Sequence, residues 1–217
     1  MRLICRFATL SILAAAALPS HADTIYSTFA PGQTFNSMAY VTGTIEVGEE
    51  SLNQLIAAPF IPTETATLSD AVLAMRRIAG KGDGPVTVFI ESSSAGAPDA
   101  ILDTLTQVGG LTLTPAPVDF ICSSCSVLDA GTMYFLVAYQ PDPSSQSGWN
   151  LALTTTGTIY NNNNGRLTGA WNQDPNSPLA AFEVNGDPAA TPEPSTLVLL
   201  GTGVLGLAGM VRRKLSR

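Results

Sequence analysis

The sequence has one histidine and three cysteines, and this shortage excludes several kinds of site. The histidine, His21, lies in an N-terminal segment that we expect to be removed on export. The exported chain would therefore have no imidazole for a Ser-His-Asp triad or for a catalytic zinc ion. Cys5 lies in the same segment, so Cys122 and Cys125 would be the only remaining thiols. The sequence therefore favours a protein that is not an enzyme and that uses neither a metal nor another cofactor.

The two remaining cysteines stand in the stretch ICSSCS, which allows three interpretations. A redox motif of this spacing normally opens a helix after a strand. Here Pro115 and Pro117 precede it and Leu128 to Gly131 follow it, a pattern typical of a loop between strands. In an oxidising compartment we expect a structural disulfide. Redox chemistry and unpaired thiols remain the alternatives.

Basic residues are also scarce. Residues 23–190 contain sixteen Asp and Glu against four Lys and Arg, a formal charge of −12. Such a surface repels phosphate backbones, so we expect no nucleic-acid partner. Weak calcium binding at Asp142 or Asp174 is an alternative to simple turns, but neither segment fits an EF-hand loop, and both are more typical of turns.

Residues 1–22 are typical of a secretory signal peptide. Arg2 and Arg6 form a basic start, Phe7 to Leu18 an apolar core, and Ser20 and Ala22 the small residues of a cleavage site. We expect cleavage after Ala22. A lipoprotein signal is disfavoured because Cys5 precedes the apolar core.

The remaining body, residues 23–186, is rich in Thr, Val, Ser, Gly, Asn and Pro, which favours strands and turns. Residues 86–91 alternate, with Val86, Val88 and Ile90 on one face. Residues 68–78 fit a helix and a strand equally well. Turn residues at 80–85, 141–144, 161–165 and 174–176 separate short strands, and residues 187–194 form a Pro- and Ala-rich linker. We therefore predict an all-β fold, an antiparallel sandwich resembling a jelly roll.

The C-terminal segment, residues 195–217, contains a second apolar run. Leu197 to Val211 carries no charge and would span about 22 Å as a helix. Arg212, Arg213 and Lys214 follow it and would hold that end in the cytoplasm as a membrane stop. We predict a single transmembrane helix that anchors an exported body.

This segment closely resembles the PEP-CTERM sorting signal of Gram-negative bacteria. Pro192, Glu193, Pro194 and Ser195 match its motif, and Arg212 and Arg213 match its basic end. The resemblance implies that an exosortase, a membrane protease, recognises and removes the tail. It also implies export to the cell surface or extracellular matrix in association with exopolysaccharide.

The body resembles the choice-of-anchor R domain, which occurs with alternative cell-surface anchors. The resemblance is carried by FAPGQTFNS, by ATLSDAVLAM, by the stretches around residues 85–108 and 128–152, and by the final AAFEVNG. It implies a strand for ATLSDAVLAM and brings no agreed activity. The Cys122 and Cys125 pair departs from the usual pattern.

Three functions remain open for the body. We favour a non-catalytic surface or matrix protein. The alternative is a glycan-binding module, in which Trp171, Tyr160 and Trp149 could stack on sugar rings, although Trp149 suits a core position better. A carboxylate-based glycosidase is the third possibility, because the spacing of sixteen acids in space does not follow from their order.

Overall fold

The computed structural model describes residues 22–165 and 170–188, and every regular element in these ranges is a β-strand. Within them no helix is long or apolar enough to cross a membrane. The strands are β1 Asp23–Ser27, β2 Ala39–Val47, β3 Glu50–Phe60, β4 Ala66–Arg77, β5 Thr87–Ser94, β6 Ala97–Gln107, β7 Ala116–Ile121, β8 Val127–Leu128, β9 Tyr134–Tyr139, β10 Gln146–Asn162, β11 Asn172–Ala180 and β12 Phe182–Pro188.

All strand pairs are antiparallel, and the all-β prediction is confirmed. The strands follow one another across the sheet as β1-β12-β4-β7-β6-β5-β9-β3-β2-β10-β11, and β8 pairs with β4. The first part of β10 also pairs with β4, through Ser147 and Arg77. The pairings therefore run in a closed circuit through eight strands, and the other four, β1, β8, β11 and β12, branch from it.

One face of these strands forms the main core. Val86, directly before β5, and Val88 and Ile90 of β5 point into it as the alternation predicted. Trp149 of β10 is fully buried there, and its indole N–H donates to the carbonyl of Ala181 at 3.0 Å. Its ring meets Phe182 edge to face, with 5.6 Å between the centroids. Burial of such large aromatic groups is the main source of stability in this part of the molecule.

The opposite face of β3, β5 and β9 is covered as well. Its buried residues are Leu55, Ala57, Phe89, Phe135, Val137 and Tyr160, which we call the outer cluster. Tyr160 reaches across Phe135, with ring centroids 5.0 Å apart, and donates its hydroxyl hydrogen to the carbonyl of Gly96 at 2.5 Å. Because Gly96 lies at the tip of the β5–β6 hairpin, this bond holds the hairpin over the sheet face.

Some strand assignments agree with the sequence prediction and others differ from it. The ambiguous segment at residues 68–78 lies mostly within β4, as the resemblance implied. Residues 111–115, which alternate like a strand, form none, and β7 begins after them. The predicted turn at 174–176 lies inside β11, where the register shifts by one residue and Asn176 has a φ of 61°. The turn-forming residues there produce a bulge instead of a chain reversal.

Candidate functional site

The two ends of the described body leave from the same end of the sheet. Asp23 opens β1 and pairs with Gly186 of β12, while Pro188 closes β12 and pairs with Ala66 of β4. Ala22, the predicted signal-cleavage residue, is exposed just before β1. Cleavage there would leave β1 intact.

The sorting motif predicted at Pro192, Glu193, Pro194 and Ser195 lies outside the described residues. So do the basic residues Arg212, Arg213 and Lys214, the predicted transmembrane segment 195–217 and residues 1–21 of the predicted signal peptide. The structure fixes the point from which the tail departs, four residues before the motif.

Loops at this end of the sheet are tied to one another by backbone hydrogen bonds. Thr63 donates its N–H to the carbonyl of Ile25 at 2.9 Å, and Gly131 donates to the carbonyl of Pro62 at 3.0 Å. Ala130 donates to the hydroxyl oxygen of Thr65 at 3.0 Å. The loops 61–65 and 129–133 therefore form one surface beside both chain exits, which we call the exit surface.

Cys122 and Cys125 form a disulfide, with their Cα atoms 5.9 Å apart. They lie in the loop between β7 and β8, as the flanking prolines predicted. The buried carboxylate of Asp103 accepts the N–H of Ser126 at 3.0 Å and also the Ser126 hydroxyl at 3.2 Å. The loop is thus fixed to β6 directly after the disulfide, which suits a structural role.

The three aromatic candidates for sugar stacking lie in different environments. Trp149 is in the main core, so its ring is not available to a ligand. Tyr160 is 7% exposed, its hydroxyl is engaged by Gly96, and burial raises its pKa. Trp149 thus occupies the core position that the sequence analysis favoured, and Tyr160 packs within the outer cluster. Trp171 packs at the margin of the outer cluster and stays partly exposed, but its indole nitrogen is buried without a hydrogen-bond partner.

Glu91 is the most unusual titratable group among the described residues. It is 0% exposed, and neither carboxyl oxygen has a hydrogen-bond partner. Its neighbour across the pair of strands is Phe135 of the outer cluster. Burial, with a smaller contribution from the negative charge of Asp99, raises the pKa of Glu91 to about 7. The alternation placed Glu91 opposite the core, but it could not reveal that the second face is also covered.

An open groove crosses the outer side of β12, β4 and β7. Its lining includes three carboxylates and apolar side chains: Asp70, Asp119, Glu183, Val72 and Ile121. Glu183 and Asp119 lie on either side of Val72 in the strand register. Asp70 is already engaged, since it accepts from Asn185 at 2.8 Å and from Ser69 at 2.6 Å. Sequence reasoning missed this groove, because the three acids come from distant parts of the chain.

The two candidate calcium segments adopt ordinary backbone structures. Asp142 accepts hydrogen bonds from the Ser144 N–H and hydroxyl and from the Ser145 hydroxyl, and these bonds lower its pKa. Asp174 lies on the exposed side of β11. Across residues 22–165 and 170–188, no three Asp, Glu, Cys or His side chains converge as metal ligands would.

Comparison with known proteins identifies the C-terminal segment alone. Residues 190–214 match the PEP-CTERM protein-sorting motif. A comparison of the whole chain with curated proteins finds no significant match. Over residues 190–214, the chain is therefore similar to the sorting signals of exported envelope proteins that exosortases recognise.

Proposed function

We propose that this protein is a non-catalytic component of the cell surface or extracellular matrix. It is made as a precursor with a signal peptide and a sorting tail, and an exosortase removes the tail. The observation that carries this proposal is the match at residues 190–214, which begins two residues after β12 ends. The matched motif thus follows directly on the last described strand of the folded body.

The precursor would pass through an anchored intermediate. The signal peptide starts export, and the apolar segment of residues 195–217 stops it, with Arg212, Arg213 and Lys214 on the cytoplasmic side. The extended Pro192-Glu193-Pro194 stretch would then lie at the outer surface of the membrane. Proline favours an extended, accessible backbone there, as entry into a protease cleft requires.

Processing can be tested by the intact mass of the protein from its native host. We expect a mass that lacks residues 1–22 and the C-terminal tail. Replacing Pro192, Glu193 and Pro194 together by alanine should leave the tail in place and the protein in the membrane fraction. Thr191→Ala, immediately before the motif, is the matched control and should be processed normally. A tail retained in the unmodified protein would contradict the proposal.

For the body we propose the jelly-roll-like sandwich of the choice-of-anchor R type. Two features support it: the antiparallel circuit of eight strands, and a main core enclosed by the inward faces of strands from the whole circuit. Such a body presents an acidic, soluble surface. An acidic surface of this kind suits a matrix component that stays dispersed before it is assembled.

A second candidate function is glycan binding at Trp171. The partly exposed ring stands between exposed polar residues of β11 and the Asn-rich end of β10, and its buried N–H lacks a partner. A sugar stacked on the ring is a common use of such a residue. Trp171→Ala should raise mobility in affinity gels containing the producer's own polysaccharide. Leu153→Ala, also exposed but on β10, is the control; equal mobility of both variants and the parent would reject glycan binding.

Catalysis forms no part of the proposal. The exported sequence has no histidine, and its acids offer no recognisable catalytic pair in sequence. A carboxylate-based glycosidase stays a prediction, and the Asp119 and Glu183 carboxylates of the groove are the pair to replace in testing it.

A further inference from the structure

The exit surface defines how the body can sit on the membrane before processing. Asp23 and Pro188 lie at the same end of the sheet, because β1 and β12 are antiparallel neighbours and Asp23 pairs with Gly186. Both membrane-directed segments of the precursor, residues 1–22 and 195–217, therefore join the body at one end. The chain connects to the bilayer at a single location on the fold.

The linker is too short to allow the opposite orientation. Ser195 lies seven positions after Pro188, and seven extended residues span at most about 25 Å. β4 starts beside Pro188 at Ala66 and runs to Arg77, a length of about 36 Å at the usual rise for a strand. A body with its far end on the membrane would need a linker at least as long as β4. The exit surface must therefore be the end nearer the bilayer.

Apolar side chains surround the chain exits at this end. Ile61 is 44% exposed, Val127 is 55% exposed and Met133 is 37% exposed. Ile61 and Met133 belong to the two hydrogen-bonded loops of the exit surface. Val127 lies opposite Thr67 at the start of β4. Large apolar side chains exposed at one location are typical of a contact with a protein or a membrane.

We propose that the exit surface contacts the lipid headgroup region while the tail anchors the precursor, with Ile61, Val127 and Met133 at the contact. This inference rests on the anchored intermediate proposed above. Four acidic residues, Asp23, Glu64, Asp129 and Asp187, are exposed around the same end. They oppose binding to anionic lipid, so the contact depends on the tether and is lost when the tail is cut.

The experiment uses the precursor with its tail, reconstituted in phosphatidylcholine vesicles, with Cys5→Ser and one further cysteine for a fluorescent label. The disulfide keeps Cys122 and Cys125 unreactive. Ile61→Cys places the label on the exit surface. Leu113→Cys is the matched control, since Leu113 is 52% exposed and lies near the far end of β4. Its neighbour Thr112 accepts a hydrogen bond there, from the N–H of Arg77 to the Thr112 carbonyl. Lipids with a nitroxide on the headgroup serve as the quencher.

We expect the label at position 61 to lose most of its fluorescence and the label at position 113 to lose little. Equal quenching at both positions, or stronger quenching at 113, would overturn the orientation. Val127→Cys gives a second reading of the same surface if the first variant does not fold. The vesicles are first washed with high salt and carbonate. Protein that washes off the vesicles would refute the anchored intermediate itself. Retained protein whose label at position 61 is not quenched would refute the orientation alone.

Discussion

At the scale of single residues, Glu91 is the group whose chemistry the fold alters most. A carboxylate without a hydrogen-bond partner is costly to bury, because nothing replaces the water that it loses. The protonated form avoids this cost, which is why its pKa rises to about 7. The folded protein therefore holds a proton on Glu91 at pH values where the unfolded chain does not.

The sign of the pH effect follows from this difference. The contribution of Glu91 is fully present below the unfolded pKa, near 4.5, and is lost as the pH rises through about 7. Glu91→Gln should therefore gain stability over the parent as the pH rises from 5 to 8, by about 1 to 3 kcal/mol. Urea unfolding at the two pH values measures it. Glu64→Gln, exposed in the loop before β4, is the control and should show no such change; the same pH slope in the parent and in Glu91→Gln would contradict the explanation.

A residue's environment could be predicted where nearby sequence determines it, and could not where distant segments determine it. Trp149 suited a core position because it begins an apolar strand pattern, and the structure places it there. Glu91 and the groove acids could not be identified, because their environments arise from segments far away in sequence. Tyr160 looked like a surface residue among asparagines, and only its reach across Phe135 to Gly96 explains its burial.

At the scale of elements, β7 forms despite containing Pro117, and the pairing explains why. Pro117 lies opposite Ala74, but the Ala74 N–H donates to Ala181 on the other side of β4. β6 pairs with β7 only at Phe120 and Ile121, so the missing N–H of Pro117 faces no strand. A proline costs little stability at a position where no neighbouring strand needs its backbone N–H as a hydrogen-bond donor. The sequence alone could not indicate this, since it does not give the neighbours of a strand.

At Gly186 a side chain should disturb the pairing of β12 with β4. A Cβ there would lie 2.9 Å from the Cβ of Ala66 and 3.0 Å from the carbonyl oxygen of Thr67, where the β12–β4 register shifts. Gly186→Ala should destabilise the fold by about 1 to 3 kcal/mol, because strand atoms must move apart. Thermal unfolding measures it. A Cβ added at Gly110 would meet no atom within 4 Å, so Gly110→Ala is the control. Equal melting temperatures for the two variants would show that the strands adjust freely.

The disulfide should contribute little to stability. It closes a loop of only four residues, so its removal costs about 2 kcal/mol in the chain-entropy account. Asp103 still holds Ser126 through two groups after reduction. Replacing Cys122 and Cys125 by serine should lower the melting temperature by roughly 4 to 8 °C without loss of the fold. An unfolded double variant would mean that the bond organises β7 and β8 together.

At the scale of the whole molecule, the C-terminal sorting motif was more predictable than the middle of the chain. The sorting tail is recognised from local composition and order and has its match at residues 190–214, whereas the signal peptide stays a prediction. The all-β class followed from turn spacing and strand-favouring residues. The order of strands did not, because pairings such as β4 with β12 join residues more than a hundred positions apart.

The neighbouring position of β1 and β12 also determines how the body responds to mechanical load. A force that separates Asp23 from Pro188 acts at one end of this strand pair, so the hydrogen bonds rupture one after another, as in a zipper. Loading of that kind meets far less resistance than shear along the strands. If a matrix pulled this body by both ends, β1 would detach from the edge of the sheet first. The circuit of eight strands would open only afterwards.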